Sequence, residues 1–224
     1  NMHLAPEKAT KVDLSYNFSS QAVNLFVNGY LSHTTDYISQ MTKMDNERLI
    51  TTYANADSDI KRGVEVSLKV TPAKWMNFSV GANTYYVTTE GVFEGMHIDN
   101  QGWTNNSNLL LDFVPWKGGE LQLQYFITTP QYYPQLTTSL THQMNMGIKQ
   151  RFMKGAMTAS ILVTDVLNTA KWDVWSNNSL FNLKNSSTNK SRMIWLGVSY
   201  NFNSFKQKSN QKAETDRSLI KLGL

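Results

Sequence analysis

The stretch that most constrains this chain is Arg192 to Phe202, R-M-I-W-L-G-V-S-Y-N-F. Ile194, Leu196, Val198, Tyr200 and Phe202 share one parity, and Trp195, Gly197, Ser199 and Asn201 take the other. Successive side chains of a strand point to opposite faces, so this alternation predicts a strand with one apolar and one more polar side. A tilted strand of about ten residues crosses a bilayer. Tyr200 and Phe202 then end at a membrane–water interface, where aromatic rings are enriched. Beyond Phe202, residues Asn203 to Leu224 are polar and charged. The pattern is that of a closing strand in a transmembrane β-barrel.

The chain upstream repeats the pattern. Val12, Leu14, Tyr16 and Phe18 alternate with Asp13, Ser15 and Asn17 after a loop at Asn1–Ala9. A second strand runs from about Ala22 to Ser32, and Val64, Val66, Leu68 and Val70 oppose Glu65, Ser67 and Lys69 in a third. Alternation returns from Trp75 to Thr88, Trp103 to Val114, Leu121 to Thr128, His142 to Gln150 and Ala156 to Asn168. The connections fall into two classes. Turns near 20, 72, 117 and 153 are brief, whereas 33–62, 89–102, 129–141 and 169–190 read as long polar loops. Short turns at one end and long loops at the other are the pattern of outer-membrane barrels. A soluble sandwich repeats alternating strands too, but its connections need not sort this way.

The fold class expected is all-β: an antiparallel transmembrane β-barrel segment of about nine strands. Residues 1–203 form the barrel portion and residues 204–224 a polar, flexible periplasmic tail. With an odd count, the first and last strands both run toward the short-turn end. They can close on each other only in parallel, so the nine strands are expected to be part of a larger wall.

Composition narrows the functional classes. No run approaches the ~18 apolar residues of a membrane helix. A barrel exposes only alternate residues to lipid, so modest hydropathy does not exclude it. The 224 residues contain no cysteine, which removes disulfides, thiolate metal sites and cysteine nucleophiles. Of the net charge of +4, three charges lie in the tail, where Lys206, Lys208, Lys212, Arg217 and Lys221 face Glu214 and Asp216. A nucleic-acid binder concentrates basic residues on its folded part, so no nucleic-acid partner is expected.

Candidate chemistry is sparse. His97 and Asp99 share a Gly-rich stretch, but general acid–base work needs a positioned pair, and they are read as solvated. His3, His33 and His142 lack metal-ligand spacing, and Asn55, Asp57 and Asp59 lack the rest of a calcium loop. No catalytic residue, metal or cofactor is assigned. Trp103, Tyr132, Tyr133, Trp172 and Trp175 lie in or beside the long loops and are the candidate ligand-binding residues. Their rings suit stacking on a sugar or on an aromatic siderophore group; the alternative is an interfacial girdle or loop packing. Trp75 and Trp116, at short turns, read as periplasmic girdle. Asn77-Phe78-Ser79 matches a glycosylation triplet by pattern only.

Four stretches carry a family likeness. They are Asn1-Met2-His3-Leu4-Ala5-Pro6-Glu7-Lys8; Thr52-Tyr53-Ala54-Asn55 followed by Gly63-Val64-Glu65; Asp165-Val166-Leu167-Asn168-Thr169; and Tyr200-Asn201-Phe202. In order and spacing the chain resembles the C-terminal barrel part of TonB-dependent outer-membrane receptors of Bacteroidota type. The resemblance implies a roughly 22-stranded barrel in the bacterial outer membrane. It implies non-catalytic import of a small nutrient ligand, a siderophore, glycan, peptide or vitamin. The partners implied are outer-membrane lipid, a plug domain and TonB through an N-terminal part, and a lipoprotein lid. The tail departs from the commoner pattern, in which an aromatic residue ends the chain. A plug-less porin or adhesin-like barrel and a soluble β-sandwich carbohydrate-binding module are the competing readings.

Overall fold

The structure is a computed structural model that describes residues 4–46, 48–178, 181–188 and 190–202. The tail expected at 204–224 and the Asn1-Met2-His3 start of the first motif lie outside the described residues.

Among the described residues twelve strands follow in order: β1 (Lys8–Ser19), β2 (Val23–Asp45), β3 (Arg48–Ala73), β4 (Met76–Phe93), β5 (Met96–Phe113), β6 (Gly119–Thr128), β7 (Thr137–Thr138), β8 (Thr141–Phe152), β9 (Met157–Thr164), β10 (Lys171–Asn177), β11 (Asn182–Thr188) and β12 (Met193–Tyr200). Nine of them form one antiparallel sheet in the order β1-β2-β3-β4-β5-β6-β8-β9-β12. The sheet is open, with β1 and β12 as its two edges. Nine strands were expected, and nine are found. A two-sheet sandwich is not: β7, β10 and β11 make a separate small sheet in the order β11-β10-β7.

The register joins the apolar parities of neighbouring strands into one belt. Val12 faces Leu31, Leu25 faces Leu68, and Leu68 faces Val80. Val80 pairs with Leu109, Leu111 with Leu123, and Leu123 with Met146. Ile148 pairs with Ile161, and Ile161 with Leu196. The opposite face is polar across the same strands, with Asp13, Asn28, Glu65, Asn83, Asn106, Gln122, Gln124 and Lys149. A one-residue slip anywhere would exchange the two faces, so the pairing is tightly specified. The apolar belt is not packed against protein: Leu14 is 82% exposed and Leu196 78%.

Two expected loops are strands instead. The stretch 33–62 is the outer half of a β2–β3 hairpin whose ladder continues to Asp45 and Arg48. The stretch 89–102 belongs to β4 and β5, joined at Glu94 (φ 50°) and Gly95 (φ 77°). Two-residue turns with positive φ match strand twist and carry a ladder through. A β2 of 23 residues is twice what a membrane crossing needs, so the outer half stands clear of it. There, lipid no longer demands an apolar side chain at every second position, and strict alternation disappears although the backbone pairs on. The stretch 169–190, also expected as loop, contains β10 and β11. At the first strand the ladder starts at Lys8, and the eighth expected strand stops at Thr164 rather than Asn168.

The protein's buried apolar cluster lies in the projecting hairpins, not in the belt. Met41, Ala56, Met96 and Ile98 pack together with Tyr37, Ala54 and Phe93. At the other end, Trp75 stacks on Phe113 with centroids 6.4 Å apart. Trp116 Nε1 donates to Gln150 Oε1 at 2.6 Å, and Tyr200 meets Phe202 edge-on at 4.8 Å.

Candidate functional site

The polar face of the sheet is covered at the long-connection end. Residues 129–138, between β6 and β8, fold back across β4 and β5 as a strap. Thr104 Oγ1 donates to Pro130 O at 2.9 Å, and Tyr85 OH donates to Gln131 Oε1 at 3.2 Å. Asn100 Nδ2 donates to Tyr133 O at 2.6 Å. Further out, Gln135 pairs with the β2 backbone, accepting from Thr42 N at 2.6 Å and donating to Thr42 O at 3.1 Å. Tyr85, Asn100 and Thr104 all take the polar parity of their strands. The Tyr132 ring packs on Gly102, where an added Cβ would fall 2.2 Å from Tyr132 Cζ. An isolated glycine in a strand often marks such a close approach.

The small sheet extends this cover. Val174 and Trp175 of β10 pair with Thr138 and Thr137 of β7. Ser139 Oγ accepts from Asp173 N at 3.0 Å, and Thr141 Oγ1 donates to Lys171 O at 2.9 Å. Between the β4–β5 turn, the strap and β10 lies a cleft of about 580 Å³. His97, Asp99, Asn100, Gln135, Thr137 and Trp175 are among its lining residues. It offers one indole, amides, a hydroxyl, an imidazole and a carboxylate. Such a set can hydrogen-bond and orient a polar solute. Among the described residues, no three His, Asp or Glu side chains are placed to hold a metal ion.

The five aromatic candidates are therefore not one site. Trp175 lines the cleft. Tyr132 and Tyr133 belong to the strap, Tyr132 against Gly102 and Tyr133 46% exposed. Trp172 is three residues from Trp175 on the same strand and so points to the other side of the small sheet. Trp103 is separate: it pairs with Tyr86 on the apolar parity, is 63% exposed, and meets the Tyr86 ring edge-on at 5.4 Å. The residues that hold the strap, Tyr85, Asn100, Thr104, Gln131 and Gln135, were not singled out from sequence. Gly102 beside Trp103 was the available signal.

The buried Asp165 closes the loop after β9. Its carboxylate accepts from Thr169 N at 2.9 Å, from Ala170 N at 3.3 Å and from the Ser191 hydroxyl. Burial pushes its pKa up. The Ser191 hydroxyl, the two amides and the nearby Arg192 charge outweigh that and hold the carboxyl below its ordinary value.

The family model described as outer membrane protein beta-barrel family matches residues 1–200. The chain belongs to that family. The exposed apolar belt is thus the lipid-facing surface of an outer-membrane barrel wall. No curated protein and no solved structure matches the chain significantly. In this barrel Trp103 stands on the lipid-facing parity, while the strap stands on the face turned away from lipid.

Proposed function

We propose that this barrel is the wall portion of a TonB-dependent nutrient receptor, which binds a polar solute at its extracellular end and passes it inward without covalent chemistry. The observation that carries this reading is the strap and β7-β10-β11 cover over the polar face, with a cleft of about 580 Å³ at its edge. A wall that only enclosed a water-filled pore would need no such fixed cover. Concave sites lined by a few convergent polar groups and an aromatic ring are the usual form of small-ligand sites.

The two edge strands fit the same reading. β1 and β12 both run toward the short turns, so each needs an antiparallel neighbour other than the other. Unpaired backbone groups in lipid cost several kcal/mol each, which drives closure. Further strands of the same barrel, a plug domain inside it, TonB, and a lipoprotein lid over the long hairpins complete the proposed assembly.

The test uses the whole protein in its own outer membrane. Uptake of its nutrient should require both TonB and a plug domain in the same polypeptide. Uptake that persists in a strain lacking TonB would sink the receptor reading and leave a porin-like barrel.

A further inference from the structure

The row at the outer edge of the apolar belt is built differently from the belt beneath it. Arg62 in β3 pairs laterally with Leu31 on one side and Tyr86 on the other, so it stands on the apolar parity. Its guanidinium sits over the Tyr86 ring, 5.2 Å from the centroid. Tyr86 is steadied in turn by the edge of Trp103 at 5.4 Å and by its own hydroxyl, which donates to Gln101 Oε1 at 3.0 Å. His33, two residues beyond Leu31, stands on the same parity toward β1, and Lys8, four beyond Val12, is level with Glu90 and Asp99.

Among the described residues no carboxylate shares this row with Arg62. Asp13 takes the polar parity one step below the row, and Asp59 and Glu65 take it three residues above and three residues below Arg62. Glu90 and Asp99 face each other four residues further out, roughly 13 Å beyond Tyr86 and Trp103 at ordinary strand rise. Among the described residues Arg62 forms no ion pair with a carboxylate. A fixed cation immediately above a lipid-facing apolar belt is costly in hydrocarbon, so it belongs at headgroup depth. Long hairpins mark this as the extracellular edge.

We infer that Arg62, held by Tyr86 and Trp103 and neighboured by His33, is a binding site for the phosphate of an outer-leaflet glycolipid of the lipid A class. A planar guanidinium matches phosphate oxygens with two parallel hydrogen bonds, which an ammonium cannot do. The aromatic pair lies against the glycolipid's sugar and upper acyl region. This inference rests on the outer-membrane location alone and is independent of which solute, if any, the barrel imports.

The experiment uses the full-length protein, purified from outer membranes and placed in lipid nanodiscs. Retention of diphosphorylated lipid A is compared with that of its dephosphorylated form by native mass spectrometry. The wild-type protein should prefer the phosphorylated form at least fivefold. Arg62→Gln should abolish that preference, and Arg62→Lys should recover only part of it. Lys69→Gln, a charge change on the polar face, should leave it unchanged. Equal retention of both lipids by the wild type would overturn the site, and that comparison needs no variant to fold. So would wild-type preference in Arg62→Gln, or full displacement of lipid A by millimolar inorganic phosphate, which would indicate a general anion site.

Discussion

The side chain of Asn55 makes a reciprocal pair with the backbone of Ala5, fifty residues away. Asn55 Oδ1 accepts from Ala5 N at 2.9 Å, and Asn55 Nδ2 donates to Ala5 O at 2.9 Å. The same Nδ2 donates to Asp36 O at 2.6 Å, where β2 carries a residue at φ 54° and its pairing with β3 skips a step. Nearby, Glu7 Oε2 accepts from Ile38 N at 3.2 Å. Two of the family-like sequence stretches are thereby one structural device. The Asn of the T-Y-x-N element ties the entry to β1 onto the irregular point of β2.

Asn55→Ala should therefore loosen a local element rather than the wall. Loss of three hydrogen bonds at a partly exposed site is expected to cost about 1–2 kcal/mol. Amide exchange should rise at Ala5 and Ile38 while Leu25 and Leu68 keep their protection. Unchanged exchange at Ala5 would contradict the clasp.

Leu68 sits between Leu25 and Val80 in the lipid-facing belt. Leu68→Arg should destabilise folding into bilayers by roughly 2–4 kcal/mol near the midplane. Ser67→Arg, one residue away on the polar face, should be close to neutral. Equal effects of the two changes in a refolding titration would refute the assigned parity.

Gly102→Ala places a methyl group where the Tyr132 ring now lies. The strap must lift, at a cost of about 1–3 kcal/mol by analogy with overpacking. Limited proteolysis should then cut residues 129–138 faster. Tyr132→Ala in the same chain should relieve the clash; if the double variant behaves like Gly102→Ala alone, the packing is misassigned.

Trp175→Ala should weaken solute binding at the cleft about tenfold or more, as removal of an aromatic anchor commonly does. Trp172→Ala, on the other side of the small sheet, should change it less than about twofold. Binding of the imported solute to intact cells reads the difference, and a reversed order would move the site off the cleft.

Asp165 predicts a pH effect with a definite sign. Its carboxyl is held below the ordinary value in the folded protein, so the stabilisation is present above the unfolded pKa of about 3.9. It is lost as pH falls through the lower, folded value. Exchange of the Thr169 and Ala170 amides should accelerate over that acid range. In Asp165→Asn the acceleration should be absent, with those amides already faster at neutral pH.

The nine-strand wall was legible because lipid imposes a period of two on every strand that touches it. Val64 to Val70 and Ile194 to Phe202 could be assigned a face from residue type alone, and the odd strand count followed. Where lipid ends, so does the signal. His33 to Asp45 continues β2 without strict apolar alternation, because water accepts either parity and only scattered positions such as Tyr37 and Met41 pack into the hairpin cluster. The five aromatic residues illustrate the same limit. Ring chemistry could mark Trp103, Tyr132, Tyr133, Trp172 and Trp175 as able to bind, but not which face each occupies. That depended on register, which carries Trp103 to the lipid side beside Tyr86. It depended also on Gly102, whose missing side chain lets the strap close against the polar face and brings Gln135 to Thr42 across 93 residues. Local composition encodes the environment each strand will meet. Contacts between distant segments are decided only when the chain folds and backbone polar groups find their partners.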